Sequence, residues 1–133
     1  TKHIYTTMKA LDELSYKVIG CAIEVHRTLG PGLLESAYEK ALMHELKLNN
    51  IPVKSQVEVS MNYKGVDIGE GLRIDLLIDN QLIVELKSVE EFKPVHYKQL
   101  LTYLKLMDKQ VGLLINFNVS NLTDGVKRIV NDY

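Results

Sequence analysis

Apolar residues in the first third of the chain recur every three or four positions, which is the spacing of an amphipathic helix. One such segment runs from Met8 to Leu29 and is ended by Gly30-Pro31-Gly32. A second runs from about Leu33 to Leu48 and is followed by Asn49-Asn50-Ile51-Pro52, a typical helix stop signal. The pattern therefore predicts two helices before the first strand.

From Val53 the apolar period changes to two, which is typical of half-buried strands. The first alternation continues to Tyr63, and a turn at Lys64-Gly65 leads to Val66-Asp67-Ile68. A second alternation starts after residues 69–71 and is divided by a turn at residues 79–81. Its apolar face is expected to hold Leu72, Ile74, Leu76, Ile78, Leu82, Val84 and Leu86. The opposite face is expected to hold Arg73, Asp75, Leu77, Ile83, Glu85 and Lys87.

The last third of the chain predicts a helix, a buried strand and a short closing helix. The helix runs from about His96 to Met107, and the strand is the nearly continuous apolar run Val111 to Phe117. Such a run is typical of a strand covered on both faces. The closing helix spans about Leu122 to Val130. The order α-α-β-β-β-α-β-α predicts an α/β fold, a mixed sheet flanked by helices, as one domain over residues 1–133.

Composition narrows the classes of function. The 16 basic and 17 acidic residues give a net charge of −1, whereas proteins that clamp a long duplex carry a basic excess. Binding to nucleic acid would therefore depend on a local site or on a partner. The single cysteine, Cys21, excludes an internal disulfide and favours a reducing cytoplasm. No apolar run approaches the roughly 20 residues of a membrane helix, and the first residues lack a signal-peptide layout, so no membrane association is expected.

The hairpin around residues 79–81 brings two carboxylates together. Keeping the apolar residues of both strands on one face requires an even sum of paired residue numbers, and the natural choice pairs Ile78 with Leu82 around a three-residue loop. This register places Asp75 opposite Glu85, roughly 5 Å apart at Cβ. Lys87 follows two residues later on the same face. The apolar pattern alone therefore predicts that these three charged side chains lie side by side.

Two carboxylates this close repel each other unless a cation lies between them. Oxygen ligands of this kind suit Mg²⁺ or Mn²⁺, and Lys87 could orient a water molecule or stabilise charge on phosphoryl oxygens. The arrangement indicates metal-assisted phosphodiester hydrolysis with Asp75 and Glu85 as ligands. The alternative is a solvated polar face with an Arg73–Glu85 or Asp75–Lys87 surface pair, worth at most about 1 kcal/mol.

Three spaced motifs resemble known families. Asp75 followed by Glu85-Leu86-Lys87 resembles the core of the PD-(D/E)XK nuclease superfamily, with Ile74-Asp75 in place of Pro-Asp. On the next helix, Gln99 and Tyr103 are similar to the Q-x-x-x-Y signature of its exonuclease branch. The segment from Gly32 to Tyr38 reads G-x-x-E-x-x-Y and resembles the GxxExxY family, which is assigned to the same fold by similarity.

The resemblance implies roles for four further residues. Glu35 would be a third acidic metal ligand, and Gln99 and Tyr103 would bind substrate phosphate or hold Lys87 in place. Tyr38 would be an auxiliary site residue. The alternatives are that Glu35 only stabilises the first turn of its helix, and that Tyr38 is a core residue with its hydroxyl satisfied.

The expected function is therefore a Mg²⁺- or Mn²⁺-dependent nuclease or phosphodiesterase that acts on DNA or RNA in the cytoplasm. A catalytically silent module with the same fold, which binds nucleic acid or a protein partner, is the main alternative. A third alternative is a structural unit that forms a homodimer.

Overall fold

Two helices form the N-terminal part of the protein, as the apolar spacing predicts. The computed structural model describes the backbone of residues 2–131 and the side chains of residues 8–131. Helix α1 spans Lys2–Leu29 and helix α2 spans Glu35–Leu48. Gly30, with a φ of 72°, ends α1, and its N–H donates to the carbonyl of His26 at 2.8 Å. Within residues 2–131, no helix is both long and apolar enough to cross a membrane.

A five-stranded mixed sheet follows, and it confirms the predicted α/β class. Its strands are β1 Val53–Glu58, β4 Arg73–Ile78, β5 Leu82–Lys87, β6 Val111–Asn116 and β7 Val126–Val130, in that spatial order. Strands β5 and β6 are parallel, and the other neighbours are antiparallel. Helix α3, Pro94–Met107, connects the parallel pair. Strands β2, Asn62–Tyr63, and β3, Val66–Asp67, form a separate hairpin.

The sheet divides the apolar interior into two cores. The first core lies between the sheet and helices α1 and α2, and the second lies between the sheet and α3. Strand β6 contributes to both, because Leu113 and Ile115 lie in the first core and Leu114 in the second. All six residues of β6 are buried, so the prediction of a strand covered on both faces is confirmed.

Two predicted elements differ from the structure. The closing helix is wrong beyond residue 125, because only Leu122–Gly125 forms a 3₁₀ turn and Val126–Val130 is strand β7. The sequence Val-Lys-Arg-Ile-Val is rich in β-branched residues, and pairing with β6 satisfies its backbone groups. The first alternation also ends at Glu58 rather than at Tyr63. After Glu58 the chain leaves the sheet and forms the β2–β3 hairpin.

Strand β4 changes the face on which its apolar residues pack, and the change occurs at Asp75. Leu76 and Ile78 lie in the first core, whereas Ile74 lies in the second core and Leu72 packs against it. The prediction that these four apolar residues share one face is therefore wrong.

The reversal coincides with an unusual backbone conformation in β1. Gln56 has a φ of 51°, in the left-handed region. Val53 packs against the first core, but Val57 packs against the second. The β1–β4 pairing continues on both sides of this point and omits only Gln56 and Asp75. A left-handed residue turns the strand over locally, as a β-bulge does, and both strands cross from one face to the other together.

Candidate functional site

Asp75 and Glu85 lie side by side where strands β4 and β5 separate. The ladder pairs Leu77 with Ile83 and Ile78 with Leu82, which is the register that the apolar pattern predicts. The ladder stops before Asp75, whose carboxylate oxygen Oδ2 accepts a hydrogen bond from the N–H of Leu86 at 2.7 Å. The side chain thus takes the place of a backbone acceptor. Below, Asp75 and Glu85 are called the carboxylate pair.

Glu85 is almost completely withdrawn from solvent. It is 5% exposed, and its Oε1 has no hydrogen-bond partner among the described residues. Burial raises the pKa of Glu85 to about 9, and the negative charge of Asp75 adds to the effect, whereas the Lys87 ammonium opposes it. The alternative of a solvated Arg73–Glu85 surface pair is wrong, because Glu85 is buried and Arg73 pairs with Glu58 at 3.0 Å.

Lys87 is the last residue of β5, and it is half-buried. Its carbonyl accepts a hydrogen bond from the N–H of Phe117 at 3.0 Å, which fixes the end of the strand beside β6. Within residues 8–131, Lys87 forms no ion pair within 4.0 Å. Its ammonium nevertheless acts on Glu85, so the lysine lies close to the carboxylate pair without being neutralised by a direct contact.

Helix α3 brings Gln99 and Tyr103 to the same side of the sheet. The side-chain amide of Gln99 donates to the Tyr103 hydroxyl at 3.1 Å, and Tyr103 is 5% exposed in the second core. Burial raises the pKa of Tyr103, and the negative charge of Glu85 raises it further. The two residues of the Q-x-x-x-Y motif are thus hydrogen-bonded to each other and lie near the carboxylate pair.

Glu35 is placed differently from the carboxylate pair. Its side chain is exposed in the first turn of α2, and Oε1 accepts from the N–H of Ser88 at 3.2 Å. The Ser88 hydroxyl donates in turn to the carbonyl of Leu33 at 2.8 Å. Glu35 therefore ties α2 to the chain directly after Lys87. Within the side chains described, no group of three or more His, Cys, Asp or Glu residues is arranged to hold a metal ion.

Tyr38 is a core residue with its hydroxyl satisfied, the second of the two interpretations that the sequence left open. The side chain is fully buried, and its ring stacks on Phe117 with centroids 4.3 Å apart. Its hydroxyl donates to the carbonyl of Gly30 at 2.6 Å and accepts from the N–H of Leu33 at 3.1 Å. These contacts hold the loop between α1 and α2, and thereby fix where α2 begins.

The comparison with protein families agrees with this geometry. The model of the PD-(D/E)XK nuclease superfamily matches residues 12–129. The chain belongs to this superfamily. The crystal structure of SSO0001 is similar at a TM-score of 0.55 and 22% sequence identity, and the match covers 74% of this chain and 50% of that chain. This likeness supports the fold alone, and the chain spans half the length of that protein. No curated protein matches the chain.

Two polar residues that the sequence patterns did not single out lie near Asp75. The amide nitrogen of Gln56 lies 2.7 Å from Oε1 of Glu39 and 3.5 Å from Oδ1 of Asp75. Burial raises the pKa of Glu39, and the charge of Asp75 also raises it, against the hydrogen bond from Gln56. Glu39 could have been found one helical turn after Glu35. Gln56 becomes apparent only from the β1–β4 register.

The residues present fit the divalent cation that PD-(D/E)XK nucleases generally use. The carboxylate pair offers hard oxygen ligands, which Mg²⁺ and Mn²⁺ prefer. The buried Oε1 of Glu85 is an acceptor for which residues 8–131 supply no donor, and a cation would satisfy it. Ligand carboxylates must be ionised, so metal binding here would displace a proton from Glu85.

Proposed function

We propose that this protein is a Mg²⁺- or Mn²⁺-dependent nuclease that hydrolyses phosphodiester bonds in DNA or RNA, and that it belongs to the GxxExxY branch of the superfamily. The observation that carries the proposal is the burial of Glu85 beside Asp75, with one oxygen left without a partner among the described residues. A purely structural carboxylate would find a hydrogen-bond donor or remain in solvent. The superfamily match supports a nucleic-acid substrate.

In this proposal Asp75 and Glu85 hold the metal ion. When bound, such an ion polarises a phosphoryl oxygen and lowers the pKa of an attacking water molecule. The Asp75 carboxylate is already fixed by the N–H of Leu86, so its orientation does not depend on the substrate.

Lys87 supplies a positive charge beside the pair. Its ammonium has no direct ion pair in the described part of the chain, and it is therefore available to a phosphate oxygen on which negative charge develops. Gln99 and Tyr103 are hydrogen-bonded to each other and cover the α3 side of the site. There they contact the substrate or orient Lys87. Glu35 supports the end of β5 through Ser88 and is not assigned as a direct ligand.

Mn²⁺-dependent stabilisation and cleavage test the proposal together. Mn²⁺ should raise the melting temperature of the wild-type protein. An ion that binds only the folded state and is present at a concentration of about 100 times its Kd stabilises that state by about 2.7 kcal/mol. Asp75→Ala should lose both this shift and the Mn²⁺-dependent cleavage of labelled DNA and RNA oligonucleotides. Lys87→Ala should keep the shift and lose cleavage, because lysine is not a metal ligand.

Lys127→Ala is the matched control, since Lys127 is exposed on the edge strand β7. It should behave like the wild type in both assays. If Mn²⁺ gives no shift and cleavage by the wild type equals that of Asp75→Ala on single- and double-stranded substrates, the nuclease proposal is wrong. Oligonucleotide binding without cleavage would then favour the silent binding module.

A further inference from the structure

We infer that Glu39, oriented by Gln56, is a third acidic contact for the metal ion, made through a water molecule, and that Glu39 rather than Glu35 has this role. The inference rests on the proposed metal-dependent function and assigns it two further residues. Gln56 is a positioning residue in this account, because it acts through the carboxylates that it touches.

Gln56 links the two carboxylates through one nitrogen atom. Its Nε2 lies 2.7 Å from Oε1 of Glu39 and 3.5 Å from Oδ1 of Asp75. The two oxygens are therefore separated by no more than the sum of these distances. The path from Asp75 through the metal ion and its water to Glu39 has two metal–oxygen bonds of about 2.1 Å and one hydrogen bond of about 2.6 Å, and a bent path of these lengths spans a gap of this order.

The backbone of Gln56 indicates that its placement matters. A left-handed conformation is unfavourable for a residue with a side chain, by roughly 1–2 kcal/mol, and its φ of 51° occurs within a strand. The pairs Val57–Ile74 and Ser55–Leu76 hold the strand on both sides of it. The strained conformation persists opposite Asp75, and in it the side-chain amide reaches both acids.

A second observation points to a ligand at this cluster of acids. In the part of the chain that the structure describes, Oε1 of Glu85 is buried without a partner, and Glu85 is 5% exposed beside Asp75. Within residues 8–131, no three acidic or other metal-binding side chains are close enough for direct coordination of one ion. Glu39 therefore contributes through water, as is usual for Mg²⁺, which keeps several of its water ligands.

Glu35 does not compete for this position. It lies one turn earlier on α2, but its carboxylate is bonded to the N–H of Ser88 at 3.2 Å. Helix α2 thus presents two acids on the same side. Glu35 contacts the chain directly after β5, and Glu39 is held toward Asp75 by Gln56.

Mn²⁺ affinity separates the two acids. Titration calorimetry with Mn²⁺ alone on the intact protein would give Kd for the wild type and for Glu39→Gln, Glu35→Gln and Glu45→Gln. Loss of an outer contact typically weakens metal binding by about 10- to 100-fold, and we expect this for Glu39→Gln. Glu45→Gln, which removes the same charge two turns further along α2, should leave Kd unchanged. Weaker binding in Glu35→Gln together with a wild-type Kd in Glu39→Gln would overturn the inference.

Gln56→Asn provides the second test. Asn tolerates the left-handed region, but its side chain is one methylene shorter and cannot reach both acids. We expect weaker Mn²⁺ binding, together with a free energy of unfolding in the absence of metal close to that of the wild type. If Gln56 merely ties β1 to α2, the variant would instead lose stability without metal and keep the wild-type Kd, and the inference would be wrong.

The outcome for the wild type distinguishes this inference from the proposed function. Mn²⁺ binding that is lost in Asp75→Ala but unaffected in both Glu39→Gln and Gln56→Asn refutes only the inference. Absence of Mn²⁺ binding in the wild type refutes the proposed function and the inference with it.

Discussion

The register between β4 and β5, which leads to Asp75 and Glu85, was predictable because it follows from two simple constraints. A strand has a side-chain period of two, and the hairpin turn around residues 79–81 fixes the pairing of Ile78 with Leu82. The burial of Glu85 was not predictable, because it depends on how α3 covers the sheet. Glu39 follows Glu35 by one helical turn, but its contact with Gln56 was not predictable, because that contact joins two elements far apart in the sequence.

The raised pKa of Glu85 predicts how stability varies with pH in the absence of divalent metal. Between the ordinary carboxyl pKa of 4.5 and the value of about 9 in the fold, the folded protein binds one more proton at this site than the unfolded chain. Stability from this group is therefore complete at low pH and is lost as pH rises through that window, by at most about 1.4 kcal/mol per pH unit.

Glu85→Gln should remove this contribution. Urea denaturation between pH 5 and pH 8 without divalent metal should show wild-type stability falling relative to that of Glu85→Gln as pH rises. Glu58→Gln, which alters an exposed ion pair with Arg73, serves as the control and should follow the wild type. Parallel pH profiles for the wild type and Glu85→Gln would contradict the prediction.

Among the elements, helices α1, α2 and α3 and the buried strand β6 were predicted well because each has a strong periodic or continuous apolar signal. The face reversal at Gln56 and Asp75 was missed, because a left-handed residue other than glycine leaves no mark on the apolar pattern. A helix was predicted over Val126–Val130 because a segment of five residues is too short to distinguish the strand period of two from the helical period of about 3.6. Its antiparallel pairing with β6 makes this segment a strand.

Gly112 tests how closely α3 is seated on β6. A Cβ atom at this position would lie 2.9–3.1 Å from side-chain atoms of Leu100, which is fully buried and has little room to move. We expect Gly112→Ala to lower the free energy of unfolding by about 1–3 kcal/mol through overpacking. Gly20→Ala is the matched control, since Gly20 is exposed in α1 and, beyond its chain neighbours and its own helix backbone, no atom of the described residues lies within 4 Å of an added Cβ.

Gly20→Ala should raise stability by about 0.5–1 kcal/mol, because alanine loses less backbone entropy in a helix. Urea or thermal unfolding would measure both variants. Equal effects of the two substitutions would show that α3 can shift away from β6 at little cost, and the fixed placement of Gln99 and Tyr103 over the carboxylate pair would then need another source.

At the scale of the whole molecule, the fold was easier to predict than the reaction. The superfamily match over residues 12–129 agrees with the predicted α/β class and with the resemblance of Glu85-Leu86-Lys87 to the superfamily motif. The chemistry depends on a few side chains whose contacts arise only after α2, β1, β4 and β5 come together.

The overall charge predicts how the protein binds nucleic acid. The protein has 16 basic and 17 acidic residues. Because the acidic residues repel phosphates, we expect only a few lysines and arginines to make a net contribution to phosphate binding. Each neutralised phosphate of a duplex steepens the dependence of log K on log salt by about 0.9, so we expect a slope shallower than about −3. Divalent metal should raise the affinity, because it would neutralise the carboxylate pair where a phosphate must approach.

Fluorescence anisotropy with Lys87→Ala, which should bind without cleaving, would measure this dependence between about 50 and 200 mM salt in the presence and absence of Mn²⁺. The wild type with a non-cleavable phosphorothioate oligonucleotide serves as the control for loss of the lysine charge. A slope of about −6 or steeper that is independent of Mn²⁺ would indicate an extended basic contact surface. Binding would then be independent of the carboxylate pair, and the silent binding module would explain the protein better than the nuclease.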